Sequence, residues 1–138
     1  MNIDVIILSY AKNDVIIQMN NDCINSIINS TDVYKFNIIV VETKSNKEFT
    51  YTQEEVTVVQ PKIKFGYNKF LNIALDYCKN DWILITNNDT VYEKGFIDAM
   101  IDAHNMDNEI LSMSPIDDSW ILQKKFDRNI PIYYGYKL

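Results

Sequence analysis

The residues of this chain best suited to chemistry are Asn87, Asn88 and Asp89, which close the apolar run Trp82-Ile83-Leu84-Ile85-Thr86. A run of this kind predicts a buried strand, and the short polar side chains after it predict a turn. Ligands of an open α/β sheet bind just beyond the carboxyl ends of the strands, so these three residues would stand at the rim of a pocket. There Asp89 can hold a divalent cation, a hard ion that takes oxygen ligands, while two amides bond hydroxyls. The combination suits a phosphorylated ligand carried on a metal, with a sugar nucleotide as the first candidate.

Other strand ends carry polar residues too. Ser9 and Tyr10 follow the run Ile3–Leu8, and Glu42 follows Phe36–Val41. Glu42, an acceptor only when ionised, suits a base N–H or a ribose hydroxyl. Tyr10 suits stacking on a base or flanking it. A cation on Asp89, Mg2+ or Mn2+, would neutralise charge developing on a departing diphosphate.

The elements that must position these residues alternate along the chain. Ile3–Leu8, Phe36–Val41, Val56–Val59 and Asp81–Thr86 predict strands. Asn13 or Asp14 is placed to cap a helix reaching about Ser30, with Ile16, Met19, Cys23 and Ile27 on one face. After Gly66, the residues Tyr67, Phe70, Leu71, Ala74, Leu75 and Cys78 follow helical spacing. Gly95 to Asn105 predicts a third helix, with Phe96, Ile97, Met100 and Ile101 inward. Lys44–Glu55 predicts a loop or short helix, Glu109–Met113 a further strand, and Trp120–Leu122 with Ile130–Tyr134 strands or a hairpin. The order β-α-β-β-α-β-α-β implies an α/β domain, an open, mostly parallel twisted sheet with helices on both faces. Neither GxGxxG nor a Walker GxxxxGK[ST] run is present, so phosphates have no glycine-rich turn to sit in. A metal is the natural substitute.

Composition bounds the reading. The 138 residues suit a single domain, 1–138, whose segment 115–138 is the least regular in pattern. Hydrophobic residues at 47% and charged residues at 23% describe a soluble globule. A net charge of −6 argues against stable nucleic-acid binding, and Lys124, Lys125 and Arg128 are too sparse for a basic patch. The N-terminal apolar run is short and has no basic leader, which predicts neither signal nor transmembrane segment and a cytoplasmic location. Cys23 and Cys78 fall on apolar helix faces and read as reduced core thiols. No CxxC pair or Cys/His cluster suggests zinc.

Together these residues resemble the family 2 glycosyltransferases of GT-A fold. Asp4-Val5-Ile6-Ile7-Leu8-Ser9-Tyr10 is similar to the family's first strand and its hydroxyl/Tyr turn. Asn37 through Thr43 is similar to its second strand, where an Asp normally touches the nucleobase; Glu42 is one methylene longer. Gly66 and Asn72 match the glycine and asparagine of its central helix, and Trp82 through Thr90 its strand with a DXD-type motif. The resemblance implies a nucleoside-diphosphate sugar donor, with Asn87 near the ribose, Asn88 near the sugar or diphosphate and Asp89 on the metal. It also implies metal-assisted, inverting transfer to an acceptor hydroxyl on a glycan, lipid-linked or other acceptor. Such transfer needs a base to take the hydroxyl's proton. The family carries one in an acceptor-binding half, most of which this chain lacks; its late carboxylate pair, Asp117 and Asp118, supplies the candidates.

Each residue also has a plainer role. Asn87–Asp89 can be a turn, Glu42 a solvated strand end, and Ser9 and Tyr10 packing or capping groups. Gly66 can serve backbone geometry before a helix, and Asn72 can bond a loop backbone. His104 reads as half-buried packing, Asp117 and Asp118 as a turn, and Tyr133, Tyr134 and Tyr136 as tail packing. The rival function is a non-catalytic or truncated sugar-nucleotide-binding domain acting through a partner chain or as a homo-oligomer. A weaker rival is an unrelated α/β nucleotide-binding regulator.

Overall fold

The computed structural model describes residues 1–43 and 51–114. Their elements are β1 (Asn2–Ser9), α1 (Asp14–Ile28), β2 (Lys35–Glu42), β3 (Val56–Val59), α2 (Tyr67–Leu75), β4 (Trp82–Asn87) and α3 (Phe96–Met106). They fall into two units, Met1–Gly95 and the residues from Phe96 onward.

In the first unit the strands form one parallel sheet in the order β3-β2-β1-β4. The chain moves outward from β1 to β3, then crosses back to place β4 on the other side of β1. Right-handed crossovers in opposite directions put their helices on opposite faces. The packing agrees. Ile6, Ile39, Val41 and Val59 form one cluster with Phe70 and Ala74 of α2. Ser9, whose side chain faces away from Ile6 and Leu8, bonds Asn20 of α1.

Local chemistry explains the helices. Asn13 caps α1, its Oδ1 accepting from the Ile16 N–H at 3.0 Å, and Asp14 adds a negative charge in the first turn. Cys23, Ile24 and Ile27 are fully buried on its inner face. Phe70 of α2 is fully buried as well, which stabilises the fold by about 2 kcal/mol. The ring of Phe65 meets it edge-on, with centroids 5.2 Å apart.

Three expectations need correction. The helical spacing that includes Cys78 outruns α2, which ends at Leu75. Beyond it the backbone tightens to i→i+3 bonds, Tyr77 N–H to Ala74 O at 3.0 Å and Cys78 N–H to Leu75 O at 3.1 Å. The strand β4 is not buried on both faces: Ile83 and Ile85 are 41% and 50% exposed. It is an edge of the sheet among the described residues, and α2 packs on β1 and β2 instead.

The third correction lies in the second unit. Glu109–Met113 is not a strand; only Met113 makes an isolated bridge. Asp107 captures the donors a ladder would use, its carboxylate taking the Glu109 N–H and its carbonyl the Ile110 N–H, both at 3.1 Å. His104 is half-buried as expected, with Nδ1 3.0 Å from the Ile110 carbonyl. The strands expected at Trp120–Leu122 and Ile130–Tyr134 and the tyrosines after them, with part of the Lys44–Glu55 loop, lie outside the described residues.

Candidate functional site

The sheet register brings the polar strand ends together. Ser9 pairs with Glu42, and Leu8, one residue earlier, pairs with Asn87. The strand order reverses between β1 and β4, and the crevice beyond the strands at such a switch point is where open α/β sheets bind ligands. Ser9, Glu42 and the Asn87–Asp89 turn therefore share one end of the sheet.

Hydrogen bonds tie these tips to the loops behind them. The Ser9 carbonyl accepts from both the N–H and the hydroxyl of Thr43, at 2.7 and 2.8 Å. Glu42 Oε1 accepts the Ala11 N–H at 3.0 Å. Glu42 is only 2% exposed, so it is not a solvated strand end. Its side chain fixes the loop after β1 at the β2 tip of the crevice.

Asn20 joins the tips of β1 and β4. Its Nδ2 donates to Ser9 Oγ at 2.7 Å and to Tyr51 Oη at 2.8 Å, and its Oδ1 accepts from Asn88 Nδ2 at 2.8 Å. The sequence reading missed both Asn20 and Tyr51. A signal for Asn20 existed, since it is a polar residue on the apolar stripe of α1, four residues after Ile16. Tyr51 follows a polar stretch with no periodic pattern and gave none.

The β4 turn is held from below. The Asn87 carbonyl accepts from the Cys23 thiol at 3.4 Å and the Thr86 hydroxyl at 3.1 Å, and Tyr92 donates to Thr86 Oγ1 at 2.6 Å. Burial, aided by the negative charge of Asp89, pushes the Cys23 thiol up to about 11. Burial also raises the Tyr51 phenol, with Glu42 adding to the rise and the Asn20 bond opposing it. Both groups are protonated at neutral pH, and the Cys23 thiol is the donor to the Asn87 carbonyl.

The remaining candidates separate. Asn87 and Asp89 are exposed and Asn88 half-buried, as a turn at a pocket rim requires. Tyr10 is exposed, with the Lys12 ammonium 6.0 Å from its ring centroid. Asn72 is exposed on α2. Gly66 is not needed for backbone geometry: it precedes α2 at φ −160°, extended backbone open to any residue, and a Cβ there would meet Lys69 Cβ at an ordinary 3.5 Å. Asp117 and Asp118 lie outside the described residues.

The donor set can be tested against a metal. Among the described residues no three His, Cys, Asp or Glu side chains gather to hold an ion. Asp89 offers one exposed carboxylate. That fits Mg2+ or Mn2+, which are commonly held by one or two carboxylates and the ligand's own phosphates, and it does not fit a metal caged by protein alone.

A parallel sheet with this strand order, helices on both faces and polar strand tips meeting at the switch point defines an α/β domain of GT-A type. The sequence carries the family assignment further. Glycosyl transferase family 2 matches residues 4–127, and the chain belongs to that family. No curated protein matches it. Among solved structures it is similar to S. aureus TarS residues 1–349, with TM-score 0.62 and 18% identity over 78% of this chain and 33% of that one. The same protein in complex with UDP-GlcNAc gives TM-score 0.59 and 18% identity over 78% of this chain and 32% of that one. A further S. aureus TarS structure gives TM-score 0.55 and 23% identity over 76% of this chain and 20% of that one. The chain thus spans a third or less of the TarS chains it resembles. Among the described residues no helix is long and apolar enough to cross a membrane.

Proposed function

We propose that this chain binds a nucleoside-diphosphate sugar across the tips of β1, β2 and β4 and passes the sugar to an acceptor hydroxyl. The observation that carries the reading is the meeting of Ser9, Glu42 and the Asn88–Asp89 turn at one end of the sheet, linked through Asn20. Membership of glycosyl transferase family 2 supports it. Glu42 and Tyr10 take the nucleoside, Asn87 the ribose, and Asp89 the metal-bound diphosphate. When bound, Mg2+ or Mn2+ supplies the positive charge that stabilises the departing diphosphate. Transfer is inverting, with Asp117 or Asp118 as the base that accepts the acceptor's proton.

A thermal-shift panel of nucleoside diphosphates and their sugars, with and without Mn2+, tests this reading. UDP-GlcNAc is the first donor to include, because TarS has been captured with it. A stabilising shift that needs both nucleotide and metal is expected. Binding with no donor hydrolysis or transfer would favour the non-catalytic rival, and no shift with any nucleotide would refute donor binding.

A further inference from the structure

We infer that Asn20 is a positioning residue that anchors the β4 turn to the β1 tip and so sets the diphosphate side of the crevice before a ligand arrives. The inference rests on the donor-binding reading above. Asn20 is fully buried on the inner face of α1, among Cys23, Ile24 and Ile27. An amide there is a poorer helix former than Leu and costs desolvation unless its polar atoms are bonded. Every side-chain bond it makes leads away from its own helix, to Ser9, Tyr51 and Asn88. None of them supports α1 itself.

The geometry has two consequences. First, Asn20 gives its two amide hydrogens to Ser9 Oγ and Tyr51 Oη, so each hydroxyl keeps its own proton to donate onward. Ser9 is only 2% exposed, so of the two the half-buried Tyr51 is the donor that can meet an acceptor-rich ligand such as a diphosphate. Second, the bond from Asn88 turns that side chain inward, and its neighbours Asn87 and Asp89 face solvent. Asn88 thus acts on a ligand through the turn it anchors, and Asp89 is the side chain that turn presents.

Calorimetric titration with UDP, GDP, CDP, ADP and dTDP in the presence of Mn2+ identifies the nucleotide that the unmodified protein binds. Asn20→Leu should then weaken that diphosphate about tenfold, the scale of one lost hydrogen bond, and change the matching monophosphate less than about twofold. Equal loss for both ligands, or no loss in a folded variant, overturns the inference. If Asn20→Leu does not fold, Asn20→Ser keeps a polar group that is too short to span all three partners and should show the same selective loss. Asn88→Ala cuts the same link from its half-buried end and must reproduce that loss; if it does not, the inference fails whatever the Asn20 variants do. Failure of the unmodified protein to bind any nucleotide would instead refute the donor-binding reading.

Discussion

Asn80 grips Asp4 twice, its backbone N–H on one carboxylate oxygen at 2.6 Å and its side-chain amide on the other at 2.9 Å. The Lys79 N–H and the Asn37 side chain add bonds at 2.7 and 2.6 Å. Asp4 is fully buried near the start of β1, at the opposite end of the strand from Ser9. One carboxylate therefore joins β1, β2 and the turn leading into β4. The end of the sheet away from the crevice is fixed by charge-assisted bonds, which leaves the tips to vary with function.

Replacing Asp4 should be costly. Asp4→Ala removes the buried acceptor shared by four part-buried donors, and a loss of about 3 kcal/mol is expected in urea unfolding. Burial alone would raise this carboxyl, but the bonds from Asn37, Asn80 and Lys79 outweigh it and hold it below its ordinary 3.8. The unfolded chain then binds the proton more readily than the native one, so stability rises with pH. The contribution is complete above pH 3.8 and is lost as pH falls through the lower native value. Asp4→Asn should abolish that acid-side slope; an unchanged slope would assign it to other groups.

Glu42 separates stability from recognition. Its Oε1 accepts the Ala11 N–H, a role that the Gln amide oxygen can keep. Glu42→Gln should therefore cost less than about 1 kcal/mol, whereas Glu42→Ala should cost about 1–2 kcal/mol by freeing the loop after β1. If the carboxylate also accepts from the nucleobase, Glu42→Gln will bind nucleotide about tenfold more weakly despite its intact fold. Titration of the folded variant decides, and unchanged affinity would remove Glu42 from recognition.

Cys23 makes the fold sensitive to alkali. Burial and the charge of Asp89 raise its thiol from 9.0 to about 11, so the unfolded chain loses this proton first. The stabilisation is complete below pH 9.0 and is lost as pH rises towards 11, on the order of 2 kcal/mol. Denaturant melts between pH 8 and 11 should show the decline, and Cys23→Ala should lessen it, leaving the part that the raised Tyr51 and Tyr92 phenols contribute. An equal decline in the variant would place its origin elsewhere.

Sequence patterns read the backbone well because helix and strand periods are local. Asn13 as the α1 cap and Val56–Val59 as a short strand follow from neighbouring residues alone. The exposure of Ile83 and Ile85 does not, because the apolar run of β4 would look the same in a central strand. Glu109–Met113 failed for another reason: a side chain–backbone turn at Asp107 outcompeted a weak strand signal. At the site, Ser9, Glu42 and Asn88 were legible because they sit at strand ends. Tyr51 was not, because its bond to Asn20 spans 31 residues of chain and depends on the fold being made.

Asp89 offers the sharpest test of metal-assisted donor binding. The side chain is exposed, so Asp89→Ala and Asp89→Asn should leave unfolding stability within about 0.5 kcal/mol of the parent. In the parent, Mn2+ should raise nucleoside-diphosphate affinity by about tenfold or more, because on the proposed reading Asp89 would hold the ion and the ion would offset the phosphate charge. Both variants should lose that gain. Asp89→Asn is the stricter of the two, because it keeps the shape and one oxygen but removes the charge. Matched titrations with and without Mn2+ supply the comparison, with nucleoside monophosphate as a ligand less dependent on the ion. If Asp89→Asn keeps the full Mn2+ gain, the cation is held elsewhere and the turn after β4 is structural.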